Sequence, residues 1–169
     1  MNYRKYRNID YSYRFVSFSG SAAIGTLTAN TEITVPDAES SSKIVTWNSA
    51  TISSIRSSIT QDSTYTANGI TLNKTGKGKF ANNDIKGYDS TASFEFTTAT
   101  GKFSSIEIEA SQIYDGGNWT KDGNTLKWNG TPSNSVSLSG SGLYLEGGSS
   151  VNFVIEMPAD LSNATVTLR

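Results

Sequence analysis

Apolar and polar residues alternate along short stretches in the second half of the chain. Between residues 103 and 110, Ile106 and Ile108 fall on one side of the pattern, and Glu107 and Glu109 fall on the other. Because successive side chains of a strand point to opposite faces, this alternation predicts strands with one apolar face and one solvated face. Such strands are typical of an antiparallel sheet.

Similar short strands, separated by turn-forming residues, are predicted along the rest of the chain. Asp122-Gly123 is a hairpin signal, and it lies between two tryptophans, Trp119 and Trp128. The predicted strands are 23–28, 32–35, 43–47, 69–73, a short one around 80, 93–97, 103–110, 126–128, 136–138, 143–145, 151–155 and 164–168.

The segment 51–60 has a mixed pattern. Ile52, Ile55 and Ile59 are spaced by three and four residues, which fits either one short helix or an irregular strand. The β-branched residues and the many serines favour the strand.

Ten to twelve short strands without a long helix predict an all-β fold, a two-sheet antiparallel β-sandwich with an extended N-terminal arm. Jelly-roll and immunoglobulin-like topologies both fit the pattern. Ser19-Gly20-Ser21 is interpreted as the joint between the arm, residues 1–20, and the sandwich domain, residues 21–169.

The composition supports this fold and limits the chemistry. Ser, Thr, Asn and Gly make up 75 of the 169 residues, and these residues are poor helix formers. The chain contains no His and no Cys, which excludes Ser-His-Asp and Cys-His catalysis and thiolate metal sites. We therefore expect a protein that is not an enzyme and that uses no cofactor and no metal.

The first eighteen residues differ from the rest in charge and in aromatic content. They contain six aromatic residues, and their four basic residues stand against Asp10 alone. Because Tyr and Arg are enriched at interface hot spots, this arm is predicted to bind another protein subunit of an assembly. Folding back onto its own domain is the alternative, and four basic residues are too few to predict nucleic-acid binding. The predicted partner-binding residues are Tyr3, Arg4, Tyr6, Arg7, Tyr11 and Tyr13.

The start of the chain lacks an export signal. Basic residues follow Met1, but the segment 11–21 contains Arg14 and four serines where a signal peptide needs an apolar core. The chain is expected to begin at its own initiator Met, or to have had a signal removed. No apolar stretch has the length of a membrane span.

Paired carboxylates are the remaining catalytic candidates, since retaining glycosidases use two of them. Laminarinase-like jelly-roll enzymes carry Glu-x-Asp-x-x-Glu, whereas this chain has Glu107-Ile-Glu109-Ala-Ser-Gln112, with Gln in place of the last acid. We interpret Glu107 and Glu109 as a solvated strand face.

Aromatic side chains are the candidates for ligand binding, because an exposed ring can stack on the C–H face of a sugar. Tyr114 and Trp119 are the candidate ligand-binding residues. Tyr114 is expected to be the more exposed of the two, whereas the pattern around Trp119 fits either a core or a surface position. Trp128 alternates with Leu126 and is expected to face the core. The Asp and Asn clusters at 82–84 with Asp89, and at 115 with 122, are interpreted as turn formers rather than calcium ligands.

The order of these motifs resembles a known type of domain. A turn followed by Trp119, then Leu126-Lys-Trp128, a small polar run, Val136-Ser-Leu138 and an apolar closing strand at 151–156 resembles β-sandwich modules of large secreted surface proteins of gut bacteria. Similar domains occur on the particles of bacteriophages, whose virion proteins need no export signal. The resemblance covers about residues 65–156.

This resemblance implies one of two functions. The first is a non-enzymatic structural protein on a phage virion surface, as a capsid decoration or fibre-type protein anchored by its arm. The alternative is an exported glycan-binding or adhesion module of a bacterial surface protein, located outside the cell or on its surface.

Overall fold

Alternating burial along the chain organises the structure into strands with one core-facing side. The computed structural model describes residues 33–34, 41–158 and 167–168. The strands are β1 (Ile33–Thr34), β2 (Ser41–Asn48), β3 (Ser63–Ala67), β4 (Ile70–Thr75), β5 (Gly78–Phe80), β6 (Asp84–Gly87), β7 (Ser93–Thr98), β8 (Lys102–Asp115), β9 (Thr120–Asp122), β10 (Thr125–Trp128), β11 (Ser135–Ser139), β12 (Tyr144–Met157) and β13 (Thr167–Leu168). One helix, α1 (Ser49–Ser54), follows β2.

The segment Ser40–Pro158 forms one compact unit, which contains two antiparallel sheets packed against each other. The larger sheet has the order β5-β6-β12-β8-β10-β9, and β2 also pairs with β12. The smaller sheet has the order β11-β7-β4-β3. The predicted all-β sandwich is thereby confirmed. In the other unit, β1 pairs antiparallel with β13.

Two long central strands, β8 and β12, form the middle of the larger sheet. β8 pairs with one edge of β12 along most of its length. The other edge pairs with β6 at residues 144–146 and with β2 at residues 150–157. Three register shifts interrupt the β8–β12 ladder. Such irregularities bend a strand and re-aim its side chains.

Aromatic rings from both sheets fill the space between them. Trp47 and Phe153 of the larger sheet contact Phe96 of the smaller sheet, with ring centroids 6.2 and 5.4 Å apart. All three side chains are fully buried. Because aromatic rings bury large areas and prefer such edge-to-face contacts, this cluster is the centre of the core.

The segment 51–60 is not a strand, which corrects the preferred prediction. The Asn48 side chain accepts a hydrogen bond from the Thr51 N–H at 2.9 Å and caps a helix that ends at Ser54. Such caps satisfy a free N–H at the helix start, which outweighs the weak strand propensity of the sequence. Ile52 and Ile55 are buried, as the three-residue spacing requires, and Ile59 is exposed.

Two-residue hairpin loops connect neighbouring strands in both sheets. The predicted turn at Asp122-Gly123 is present: Asp122 pairs with Thr125, which leaves Gly123 and Asn124 as the loop. A second hairpin, which was not predicted from the sequence, joins β3 to β4 through Asn68-Gly69. Both of its loop residues have positive φ, which is why Asn-Gly is favoured there.

The predicted arm, residues 1–20, lies outside the described residues, as does the predicted boundary at residue 21. Both stay predictions. Strands at 23–28 and 164–166 lie outside them as well.

Candidate functional site

A row of side chains crosses the outer face of the larger sheet where β6, β12 and β8 lie side by side. Ile85, Leu145 and Ile113 of these strands are buried in the core. Because side chains alternate between the faces of a strand, their neighbours point outwards. We call these outward neighbours, together with the residue that follows β6, the tyrosine row: Tyr88, Lys86, Tyr144 and Tyr114.

The rings of the tyrosine row are packed against one another. Tyr114 and Tyr144 are stacked, with 4.6 Å between ring centroids and 17° between ring planes. The Lys86 Nζ lies 4.3 Å from the centroid of the Tyr144 ring and 5.3 Å from that of the Tyr88 ring. Since β12 lies between β6 and β8, Tyr144 is flanked by Lys86 on one side and by Tyr114 on the other. Stacking and cation–π contacts of this kind order side chains that solvent would otherwise leave mobile.

Tyr114 is the end of the row and its most accessible ring. Its side chain is 49% exposed. One ring face is covered by Tyr144, and no other aromatic ring of the described residues stacks on the second face. Tyr114 therefore presents a flat apolar surface to solvent in a fixed orientation.

A hydrogen bond fixes the hydroxyl end of this ring. The Tyr114 hydroxyl donates to Oε2 of Glu146 at 2.8 Å. This hydrogen bond, with smaller contributions from burial and from the negative charge of Glu146, raises the pKa of Tyr114 above its ordinary value. The phenol is thus held in its protonated form, with its ring oriented by Glu146.

A turn places a second carboxylate beside Tyr114. Asp115 Oδ1 accepts a hydrogen bond from the Gly117 N–H at 2.9 Å, an Asx turn that ends β8. The same carboxylate packs over Gly142, where a Cβ atom would lie 3.2 Å from Asp115 Oδ2. Gly142 also has a φ of +71°, so its lack of a side chain both permits this backbone conformation and gives the carboxylate room.

The chemistry of this site is that of a binding surface. It combines one open aromatic face with the hydrogen-bond acceptors of two exposed carboxylates, Glu146 and Asp115. A sugar ring presents C–H groups on its faces and hydroxyl donors around its edge. The arrangement is complementary to such a ring.

Trp119, the other candidate ligand-binding residue, is part of the core. It is 7% exposed, its ring lies against Phe96, and its Nε1–H donates to the carbonyl oxygen of Ser137 at 3.0 Å. The neighbouring Asn118 side chain also bonds to β11, because its Oδ1 accepts from the Ser139 N–H. These contacts hold the loop 116–119 against the smaller sheet and leave the indole no open face. The ligand-binding interpretation of Trp119 is corrected on this ground.

Trp128 lies on the core side of β10, as expected, but at the margin of the core. Leu126 is fully buried, whereas Trp128 is half-buried. Its ring packs against the core cluster and is covered by Gly130, where any side chain would collide with the indole. Trp128 therefore packs at the border of the sandwich.

Glu107 and Glu109 lie on the outer face of the larger sheet, and the predicted alternation with Ile106 and Ile108 is confirmed. Oε1 of Glu107 is 4.0 Å from Nζ of Lys127, and Oε2 of Glu109 accepts a hydrogen bond from the Ser150 hydroxyl at 3.0 Å. Both carboxylates are thus engaged by neighbouring side chains on the open sheet face.

The acidic side chains of the other two clusters pair with lysines or form hydrogen bonds within turns. Asp84 lies 2.6 Å from Nζ of Lys79, and Asp89 accepts hydrogen bonds from the side chain and the N–H of Thr91. Asp122 lies 2.9 Å from Nζ of Lys127. In the described part of the chain, no group of three or more acidic side chains is close enough to hold a metal ion.

The predicted partner-binding residues of the arm, Tyr3, Arg4, Tyr6, Arg7, Tyr11 and Tyr13, lie outside the described residues. Their role stays a prediction.

Tyr114 is the only member of the site that was predicted from the sequence as a ligand-binding residue. Lys86, Tyr88, Tyr144 and Glu146 were not predicted, and Asp115 was interpreted as a turn former. The local signal was present for Lys86 and Glu146, since each follows a buried residue of a strand in period-2 alternation. That signal places a side chain on an outer face. It does not say which side chains of other strands lie next to it.

Comparisons of the chain with protein-family models, with curated proteins and with solved structures find no match. The only helix in the described ranges has six residues, so none there has the length and apolar character to cross a membrane.

Proposed function

We propose that this protein is a non-enzymatic β-sandwich that binds glycans through the tyrosine row, with Tyr114 as the stacking residue. The stack of Tyr114 on Tyr144 is the observation that supports this function best. A ring that is already held in place loses little conformational entropy when a ligand packs against its free face. This is the second of the two functions that the sequence resemblance implies.

The position of the site on a sheet face fits a module that binds along an extended glycan chain. Tyr114, Tyr144 and Lys86 come from three adjacent strands, and neighbouring strands are about 4.8 Å apart. The row therefore extends across the sheet over a distance comparable with two sugar units. Display on the outside of a virion or of a bacterial cell gives such a surface access to its ligand.

Binding to a panel of soluble glycans tests the proposal. Tyr114→Ala removes the stacking face and is expected to weaken binding about twofold to tenfold from the lost stacking alone, because an aromatic contact contributes about 0.5–1.5 kcal/mol beyond the area it buries. Tyr114→Phe keeps the ring and is expected to retain most of the affinity. Ile44→Ala, which removes another exposed large apolar side chain elsewhere, is the matched control. Equal binding by wild type and Tyr114→Ala would reject the site.

A second proposal concerns anchoring, and the composition of the arm favours it. We propose that residues 1–18 attach the sandwich to other protein subunits of a larger assembly, such as a phage virion. The six aromatic residues of the arm can each bury about 150–250 Å² against a partner. The four basic residues of the arm can pair with an acidic surface of that partner.

Deletion of residues 2–18 tests the anchoring proposal. The sandwich is expected to keep nearly the same melting temperature, while incorporation into the assembly is lost. If the truncated protein still assembles at wild-type occupancy, the arm is not the anchor. If the deletion unfolds the domain, the arm belongs to the fold instead.

A further inference from the structure

Two carboxylates belong to residues next to Tyr114, one in contact with its hydroxyl and one following it in the chain. The Glu146 carboxylate meets the Tyr114 hydroxyl, and the carboxylate of Asp115 belongs to the next residue of the chain. Each carboxylate uses one oxygen in these contacts: Oε2 of Glu146 accepts from Tyr114, and Oδ1 of Asp115 accepts from the Gly117 N–H. Among the described residues, the second oxygen of each exposed carboxylate has no hydrogen-bond partner, so it can accept hydrogen bonds from a ligand.

In the described part of the chain, two lysines of the neighbouring strands lie away from the exposed side of Tyr114. Lys86 lies on the far side of the Tyr144 ring, since β12 separates β6 from β8. Lys121 of β9 pairs with Leu126, whose side chain is in the core, so Lys121 belongs to the opposite face of the larger sheet from Tyr114. Gln112, which pairs with Glu146 across the strands, is uncharged.

From this distribution we infer that the glycan bound at Tyr114 is uncharged, and that Glu146 and Asp115 exclude acidic sugars. Carboxylates accept hydrogen bonds from sugar hydroxyls, and these charge-assisted bonds are stronger than neutral ones. A uronic or sialic acid would bring a like charge to the same face. This inference rests on the proposed glycan-binding function and names the class of its ligand.

Matched polysaccharides that differ only in their carboxylates test this inference. Polygalacturonate, alginate and hyaluronan are each compared with their carboxyl-reduced forms, alongside neutral oligosaccharides of glucose and xylose. Affinity is measured by titration calorimetry and by affinity electrophoresis. The wild type is expected to bind neutral forms about fivefold to tenfold more tightly than the matched acidic forms, because like charges repel over these short distances. Added salt is expected to reduce this preference by screening.

Two variants identify the residues that select the ligand. The double variant Glu146→Gln with Asp115→Asn keeps an acceptor for both internal hydrogen bonds but removes both charges. It is expected to bind acidic and neutral forms with affinities within about twofold of each other. The double variant Glu107→Gln with Glu109→Gln removes two carboxylates from another part of the same sheet face, so it is the matched control and is expected to leave the preference unchanged. Circular dichroism and urea unfolding establish that each variant is folded.

The outcomes separate this inference from the function on which it rests. Equal or tighter binding of the acidic forms by the wild type would overturn the inference but support glycan binding. An equal loss of preference in Glu107→Gln with Glu109→Gln would likewise overturn it, because the selection would then come from the net charge of the sheet face rather than from Glu146 and Asp115. If no glycan of either set binds, the proposed function itself is rejected.

Discussion

The ammonium group of Lys74 lies 2.6 Å from the carbonyl oxygen of Ser58, although Lys74 is on the core-facing side of β4 and is only 1% exposed. The same group donates to the carbonyl oxygen of Gln61, also at 2.6 Å. Burial lowers the pKa of Lys74, and the negative charge of Asp62 opposes this change. A buried lysine thus fastens the segment that connects the two sheets, since that segment leads from α1 to β3.

Lys74→Met is expected to destabilise the protein by about 1–3 kcal/mol, because two buried carbonyl groups lose their charged donor. The free energy of unfolding in urea measures the effect. Lys121→Met, at an exposed position, is the control and is expected to change stability by less than about 0.5 kcal/mol. Equal stability of Lys74→Met and wild type would show that these carbonyls need no protein donor.

Tyr114 is expected to titrate above the ordinary pKa of a tyrosine, because its hydroxyl donates to Glu146. The difference in absorbance at 295 nm between wild type and Tyr114→Phe isolates its titration from those of the other seven tyrosines. Glu146→Gln is expected to move this titration to lower pH.

The raised pKa also links Tyr114 to stability. The folded state holds this proton more tightly than the unfolded state, so the contribution of Tyr114 is complete below pH about 10. It is lost as the pH rises through the raised pKa. The stability difference between wild type and Tyr114→Phe should therefore be constant up to about pH 10 and shrink at higher pH. A difference that grows above about pH 10 would contradict the hydrogen bond.

The two tryptophans of the second half should differ in their contribution to stability. Trp119→Ala is expected to cost about 3–5 kcal/mol, because it opens a cavity and frees the Ser137 carbonyl. Trp128→Ala is expected to cost about 1–2 kcal/mol, because part of that ring is already in solvent. Urea unfolding of both variants gives the comparison, and a larger loss for Trp128 would reverse the assignment of core and margin.

Alanine substitutions at two glycines compare the cost of a steric collision with the cost of backbone strain. A Cβ atom on Gly87 would collide with the backbone of Gly140, so Gly87→Ala is expected to cost about 3 kcal/mol. Gly69 has a φ of +79° and open space around it, so Gly69→Ala is expected to cost only about 1 kcal/mol of strain. Similar melting temperatures for the two variants would show that the backbone near Gly87 relaxes easily.

The double variant Glu107→Gln with Glu109→Gln is expected to leave the melting temperature nearly unchanged, because exposed ion pairs contribute little. Lys127 keeps its closer partner Asp122, which is the main cause of its raised pKa. If the wild type hydrolyses a β-glucan and this double variant does not, the proposal that the protein is not an enzyme is overturned.

Local pattern determined most of the strands, because the alternation of buried and exposed side chains is a property of neighbouring residues. Ile106 and Ile108 could be placed in the core before the structure was known, and Tyr114 could be expected at the surface. The pattern of 51–60 allowed a short helix but did not select it, because the stability of the helix at Ser49–Ser54 depends on a cap and on the burial of Ile52 rather than on propensity.

The amino-acid sequence by itself determined the all-β class, the antiparallel character of the sheets and the absence of His and Cys chemistry. Only the tertiary structure decided which strands are neighbours. Lys86, Tyr144 and Tyr114 lie far apart in the sequence, and they form one row because β12 pairs with β6 and with β8. Likewise, alternation places Lys74 on the same face of β4 as Ile70 and Leu72, but only the tertiary structure shows which carbonyl oxygens its ammonium group meets. Side-chain periodicity reports a face, whereas contacts between strands depend on the pairing of the whole chain.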